Sequence, residues 1–393
     1  MVVHGRRLVL AVGVLNGLLA AGYGVMFSVL DDFRDEYGIS PSALGLIVGV
    51  GFFASFATQI LLAPQADRGH ARLLVCLGMG LSIAGLLGMA VGRSVGVLLL
   101  ARIVMGVGAG AAIPALRRMV ILAEPDQIGH NIGVLLSADV SGFALGPAVS
   151  AVLVGPFGIP SPFLLIAAAT LACYPIIARI SVSETVEATS SRLAFDLFRI
   201  RAFAGAVVLG MAVFLMIGTF DALWVLVLSD LRASDWIANI GITLFALPLI
   251  VMGAAGGRMA QRFGPFRVAT LGLTLGAMFM FLYGQMPSGG AMFAVAMFHA
   301  VNDGLTVSST SVAASMAVAP ERQAGAQGML GGVQVLVGGI TAIVAGSLYD
   351  SRGRTFAYTT CAVSMVVVVI AGALLAGRSY FARQPTPDVL AAS

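Results

Sequence analysis

His299, Asn302, Asp303, Thr306, Ser309 and Thr310 recur at three- and four-residue steps inside a long apolar run, Ala291 to Ala319. On a helix such steps make one polar stripe, with His299 and Asp303 a single turn apart. A carboxylate and an imidazole near the middle of a membrane span are costly unless they meet a partner or water. Withdrawal from water favours the neutral form of a carboxylate, so such a group can be charged when it faces one side and neutral while it crosses. Asp303, tuned by His299, is the first proton-coupling candidate. A structural Asp303, bonded to hydroxyls of neighbouring helices, is the alternative. The other ionisable residues within apolar runs are Arg102, Asp139 and Asp221. Asp139 is the second candidate for the proton, against a role in an interhelical bond. Asp221 and Arg102 fall at similar depth and could pair at an outer gate.

Polar and aromatic residues on other apolar runs would line the cavity that such charges require. Asn16 and Tyr23 share a face of the first run, Gln59 lies in the second, and Trp224 follows Asp221 by one turn. Gln334 lies in the eleventh run, and Asn302 and Thr306 complete the set. Cys76, Cys173 and Cys361 lie far apart in apolar runs and read as small buried hydrophobes, with no disulfide and no metal site. No strained nucleophile turn or metal-ligand cluster is visible, so enzymatic chemistry is not expected.

The elements that hold these residues follow from composition. The chain has 393 residues, 59% hydrophobic and 10% charged, against about 25% charged in a soluble chain. Its mean hydropathy is +0.99. This is an all-α integral membrane protein. The net charge of +4 is too small to suggest nucleic acid; the lipid bilayer and a small-molecule substrate are the expected partners. Runs long enough to span fall at about 8–30, 42–63, 73–91, 96–119, 130–155, 162–180, 203–228, 236–256, 267–286, 290–318, 326–348 and 355–377, twelve in all. The first is too long for a secretory signal and reads as an uncleaved helix. With the N-terminus inside, the cytoplasmic segments hold sixteen arginines and the outer segments five, one more lying within a span, and there is no lysine. Both termini are therefore expected in the cytoplasm.

An internal repeat is also legible. The pattern R-x-x-x-G-x-G-x-G from Arg102 precedes Pro125, Asp126 and Gly133; at an offset of 195, Pro320, Glu321 and Gly328 occupy the corresponding places. At an offset of 194, ADRGHAR at 66–72 matches AQRFGPFR at 260–267, while the offset of 195 sets Gln334 opposite Asp139. The expected organisation is a six-helix bundle over 1–190, an interfacial linker helix over 191–201 and a second six-helix bundle over 202–393. Parallel repeats of this kind place the substrate site near the midplane where the halves meet. The linker begins with the polar stretch SVSETVEATSS, and RLAFDLFRIR after it sets Arg192, Asp196 and Arg199 on one face.

Three segments carry a resemblance to the major facilitator superfamily. Its loop after the second helix reads G-x-L-A-D-R-x-G-R-K; here Ala63-Pro64-Gln65-Ala66-Asp67-Arg68-Gly69-His70-Ala71-Arg72 stands in that place, with Ala63 for the leading Gly and Gln65 for the Leu. The loop after the eighth helix keeps Gly257 and Arg262 but has Gln261 for the Asp. The fourth-helix pattern appears as Arg102, Gly106, Gly108 and Gly110, and the fifth-helix antiporter pattern G-x-x-x-G-P-x-x-G-G as Gly142, Gly146 and Pro147, ending in Ser150-Ala151. The resemblance implies twelve transmembrane helices in two pseudo-symmetric halves. It implies a conformational latch at Asp67, Arg68, Arg72, Gly257 and Arg262. The glycines and Pro147 would give close, shearable helix packing. A family arginine at Arg102 could instead serve proton transfer directly. The implied activity is proton-coupled export of a small apolar or amphipathic compound by alternating access, from a bacterial cytoplasmic membrane, as a monomer. No cofactor is expected beyond the proton gradient: no G-x-x-x-x-G-K-[ST] loop exists, which excludes ATP-driven transport by this chain alone. Sugar or metabolite transport in either direction, and a non-transporting sensor or lipid-handling protein on the same fold, are the competing readings.

Overall fold

The computed structural model describes residues 5–180 and 193–382, all helix and connecting turns without a strand. The polar linker 181–191, Arg192 and the tail beyond Ala382 lie outside the described residues.

Each apolar run becomes a helix, because in lipid only a helix or a closed barrel satisfies the backbone internally. The helices are α1 (Arg6–Ser28), α2 (Leu30–Tyr37), α3 (Pro41–Gln65), α4 (Ala71–Val91), α5 (Val95–Ala123), α6 (Ile128–Phe157), α7 (Pro160–Arg179), α8 (Arg201–Asp230), α9 (Asp235–Phe263), α10 (Pro265–Tyr283), α11 (Gly289–Thr306), α12 (Ser309–Met316) and α13 (Gln323–Ala376). Local chemistry sets several starts. Ser40 caps α3 by accepting the Ala43 N–H at 3.3 Å, with Pro41 in the first turn. Ser288 caps α11 through the Ala291 N–H at 3.3 Å.

Among the described residues nine helical stretches are long and apolar enough to cross a membrane, two of them far too long for one crossing: Ser42–Val91 with 50 residues and Pro320–Phe381 with 62. At about 1.5 Å per residue these exceed a hydrocarbon core of about 30 Å more than twofold. Each is broken by a glycine in a conformation other residues rarely adopt, Gly69 at φ 86° and Gly353 at φ 80°. That makes eleven spans. The twelfth is α11 with α12, which the sequence shows as one run, 290–318, and the structure as two helices meeting at Val307-Ser308.

Two compact units emerge: one gathers the residues up to Pro125, Val134–Ala194 and Pro320–Leu336; the other gathers Asp126–Gly133, Phe195–Ala319 and the residues from Val337 onward. The units differ from the expected halves, 1–190 and 202–393, by an exchange of two helix starts. The reason is backbone contact at glycines. A Cβ on Gly328 would lie 2.3 Å from the Ala63 Cβ and 2.8 Å from the Gln59 carbonyl oxygen, and one on Gly133 would lie 2.1 Å from the Gly253 carbonyl oxygen. These are repeat-related crossings, since Gly133 and Gly328 correspond, as do Gln59 and Gly253. Of the expected linker helix, Phe195–Arg199 is a five-residue 3-10 turn, with Leu197 buried and Phe195 and Phe198 exposed.

Candidate functional site

The break between α11 and α12 follows from the residues around it. The Thr306 hydroxyl donates to the Asn302 carbonyl at 2.7 Å, Ser309 donates to the Thr306 carbonyl, and Thr310 to the Val307 carbonyl at 3.4 Å. Hydroxyls that bond backward onto their own helix bend it and compete with its ladder. The polar stripe is thereby divided. His299 and Asp303 are buried on α11, and Ser309 and Thr310 belong to α12.

His299 is the centre of one cluster. Its Nε2 lies 3.4 Å from Asp303 Oδ2, and its Nδ1 lies 2.8 Å from the Tyr283 hydroxyl. Both contacts are satisfied when Nε2 carries the proton and Tyr283 donates to Nδ1. Met216 Sδ lies 3.1 Å from Nε2. Phe279 stacks on the imidazole at 5.1 Å, and Phe245 and Phe220 meet it edge-on at 5.6 and 6.5 Å. Trp224 stacks on Phe220 at 4.8 Å and is fully buried. Asp221, on the same helix, is exposed. Asn302 and Thr306, expected at the cavity, pack against α10: Asn302 Nδ2 donates to the Gly272 carbonyl at 3.1 Å and to Asp303 Oδ1 at 3.2 Å, while a Cβ on Gly272 would lie 2.3 Å from that of Thr306.

Asp139 is the centre of the other. Asn16 Nδ2 donates to its Oδ1 at 2.6 Å, and Arg117 Nη2 lies 3.9 Å from its Oδ2. Arg117, one of the sixteen arginines counted to the cytoplasmic segments, has no site role on the sequence alone. Its signal is the pair Arg117-Arg118. Neighbours on a helix point about 100° apart, and these reach different carboxylates, Arg118 Nε meeting Asp67 Oδ1 at 3.1 Å. Arg102 is fully buried beneath Tyr23 of α1, its guanidinium carbon 4.2 Å from the ring centroid and 5.5 Å from that of Phe52. Gln59 is buried, donates to Ser55 Oγ at 3.2 Å and packs against Gly331; Gln334 is buried as well.

The Asp67 carboxylate accepts the backbone N–H groups of Ala324 at 2.9 Å and Gly325 at 2.7 Å, besides Arg118. These N–H groups open α13 and have no helical acceptor, so the carboxylate caps that helix and meets the positive end of its dipole. Gln261 does the same on the repeat-related crossing: its Oε1 accepts the Gly129 N–H at 2.7 Å and its Nε2 donates to the Asp126 carbonyl at 2.8 Å. The two caps differ in charge, ionic at Asp67 and neutral at Gln261. Arg72 donates to the Ile180 carbonyl, Arg68 is half-buried, and Arg262 lies over its neighbour Phe263 at 5.4 Å. A Cβ on Gly257 would lie 1.8 Å from the Gly129 carbonyl oxygen.

The remaining glycines are close-contact points. A Cβ would meet a carbonyl oxygen at 2.3 Å on Gly106 (Gly51), 2.6 Å on Gly108 (Gly78), 2.7 Å on Gly110 (Ser55) and 2.0 Å on Gly142 (Gly17). On Gly146 it would meet the Gly24 carbonyl carbon at 2.2 Å. Pro147 lies inside α6 without ending it.

Comparison with known proteins agrees with this architecture. The family model described as Major Facilitator Superfamily matches residues 10–229. The quinolone resistance protein NorA of Staphylococcus aureus is 31% identical over 138 residues, 34% of this chain and 34% of that protein. The aligned stretch thus spans about a third of that curated relative's length. The crystal structure of the human organic anion transporter MFSD10 superposes with a TM-score of 0.74 at 18% identity, over 93% of this chain and 99% of that one. The proton:xylose symporter XylE superposes at 0.73 with 15% identity, over 92% and 94%. At these identities the structural likeness establishes the fold alone.

Proposed function

This chain belongs to the major facilitator superfamily, and from that premise we propose that it is a secondary active transporter exporting a small apolar or amphipathic compound in exchange for protons. The observation that carries the reading is the buried His299–Asp303–Tyr283 cluster beside a broken membrane helix. A buried carboxylate with an imidazole at 3.4 Å is suited to reversible protonation, and a hydroxyl-rich break lets its helix change shape. Export rather than uptake is favoured by the similarity to the quinolone resistance protein over a third of the chain and by the Gly142–Gly146–Pro147 pattern.

On this reading Asp303 carries the proton with His299 as its tuning partner, and the Asn16–Asp139–Arg117 cluster is the second coupling centre. Asp67 and Gln261 cap helix starts in one conformation and release them in another. On this reading both termini face the cytoplasm of a bacterial cell, an orientation that the arginine distribution supports. Each pH unit of gradient supplies about 1.4 kcal/mol, and each charge crossing 100 mV about 2.3 kcal/mol.

The test is proton flux in liposomes containing the purified protein, loaded with a pH dye. An inward-acid gradient is imposed, then lipophilic cations, neutral drugs and sugars are added. Compound-dependent flux that Asp303→Asn abolishes supports the reading. Flux that survives Asp303→Asn but not Asp139→Asn moves the coupling site to the Asp139 cluster. Sugar-specific flux would replace export of apolar compounds by sugar transport, and binding without flux would leave a sensor.

A further inference from the structure

Among the described residues Arg102 and Arg118 are fully buried guanidiniums; Arg118 meets Asp67, whereas Arg102 is surrounded by the rings of Tyr23 and Phe52. It has 0% exposure, and Nε, Nη1 and Nη2 make no hydrogen bond of ordinary geometry. No carboxylate pairs with it among the described residues of its own unit. The room it occupies is made for it: a Cβ on Gly51 would lie 2.4 Å from its Nε, so only glycine leaves space for the side chain there. Its cover is the Tyr23 ring, whose hydroxyl is also buried without an ordinary hydrogen bond. Around that cover stand Phe52 and Phe27, both half-buried, with ring centroids 6.2 Å (Tyr23–Phe52) and 6.1 Å (Phe27–Phe52) apart, and Phe143, 5.8 Å from Phe27.

A guanidinium does not shed its proton in a protein, so Arg102 cannot become neutral to fit an apolar setting. Its fork of donors matches a carboxylate bidentately. The ring above it compensates part of the charge, as cation–π contacts do, and the Tyr23 hydroxyl is the one polar side-chain atom the structure sets against the guanidinium, so the fork of donors has no carboxylate to close on among the described residues of its unit. A cation kept in this state is a standing attraction for an anion that can displace Tyr23 and slide its apolar body between the phenylalanines.

We propose that Arg102 and Tyr23 form an anion-recognition site, and that the compound carried is an amphipathic carboxylic acid, its carboxylate on the Arg102 fork and its apolar or aryl body against Tyr23, Phe52 and Phe27. Tyr23 is the cover of this site: its ring turns aside as the carboxylate arrives, and its hydroxyl, released from Arg102, becomes a second donor. The proposal rests on the transporter reading and narrows its substrate class, but it is independent of which residue carries the proton.

The experiment reads binding alone, without flux or a proton gradient, so that it can fail while proton-coupled transport stands. Purified full-length protein in nanodiscs is titrated with 1-naphthaleneacetate and decanoate and, separately, with their methyl esters. Wild type is expected to bind at least one carboxylate about tenfold or more tightly than its ester, the scale of one charge-assisted contact. Arg102→Gln removes the preference, leaving acid and ester within about twofold. Arg102→Lys, which keeps the charge but not the fork, retains part of it, and this variant covers the case in which Arg102→Gln does not fold. Tyr23→Phe weakens the acid more than the ester. Equal binding of acid and ester by wild type, absence of binding by both carboxylates, or a preference undiminished in Arg102→Gln would each overturn the proposal.

Discussion

Removing Asp67 should cost this protein more than its position in a turn suggests, and the loss should depend on Arg118. Both side chains are buried, at 1% and 0% exposure, and meet at 3.1 Å. Asp67→Ala leaves the guanidinium in place without this partner, and breaking a buried pair from one side costs about 3–5 kcal/mol. It also strips the Ala324 and Gly325 N–H groups of their acceptor. Arg118→Met is expected to cost less, about 1.5–3 kcal/mol, because the carboxylate keeps two backbone donors. In the double variant neither charge remains, so its loss should not exceed that of Asp67→Ala by more than about 0.5 kcal/mol. The coupling between the sites then falls within the ~0.5–3 kcal/mol seen for residues in contact. Asp67→Asn is not a rescue. Three donors converge on the two carboxylate oxygens, and an amide would set its own NH2 against one of them. The assay is equilibrium unfolding in mixed micelles by titration with a denaturing detergent, read by tryptophan fluorescence. Additivity of the two single losses within about 0.5 kcal/mol would refute the pairing argument, as would an Asp67→Asn protein as stable as wild type.

Other outcomes follow from the same geometry. Gly142→Ala sets a Cβ 2.0 Å from the Gly17 carbonyl oxygen, whereas Gly155→Ala meets nothing within 4 Å; thermal unfolding in detergent should show a loss of about 1–3 kcal/mol for the first and none for the second. Tyr283→Phe removes the donor to His299 Nδ1 and should cost about 1–3 kcal/mol for the buried nitrogen left bare; unchanged stability and transport would exclude Tyr283 from the cluster. Gln261→Leu takes away both cap bonds at the start of α6 and should destabilise by about 1–2 kcal/mol, with Gln261→Glu intermediate because it keeps the acceptor for Gly129; equal losses would refute the capping account.

The sequence by itself determined the helices. An apolar run of about twenty residues has one stable conformation in lipid, so the twelve runs became helical, most within a few residues of their expected ends, while the eighth extends to Phe263 and the tenth breaks at Val307-Ser308. The glycines at 106, 108, 110, 142 and 146 were legible as close-contact points for a similar reason, since only a residue without a Cβ lets two backbones touch. The repeat was legible too, and it reappears as paired crossings at Gly133 with Gly253 and Gly328 with Gln59. The His299–Asp303 pair needed only the 3.6-residue period.

What surrounds those residues was decided by the tertiary structure. Period alone set Asn302 and Thr306 on the stripe of Asp303; only the fold shows Asn302 reaching the Gly272 carbonyl of α10 and the Thr306 hydroxyl turned back on its own helix. Partners more than a hundred residues away, Asn16 for Asp139 and Ala324 for Asp67, leave no trace in local spacing. Arg117 looked like a topology signal until the fold brought Asp139 to it. The neutral cap at Gln261 reads as a departure from a motif in the sequence, and only the N–H of Gly129 gives it a task. Helix formation is a short-range response to the solvent a segment meets, whereas the pairing of buried polar groups depends on how helices cross, and crossings are settled by side chains from distant parts of the chain.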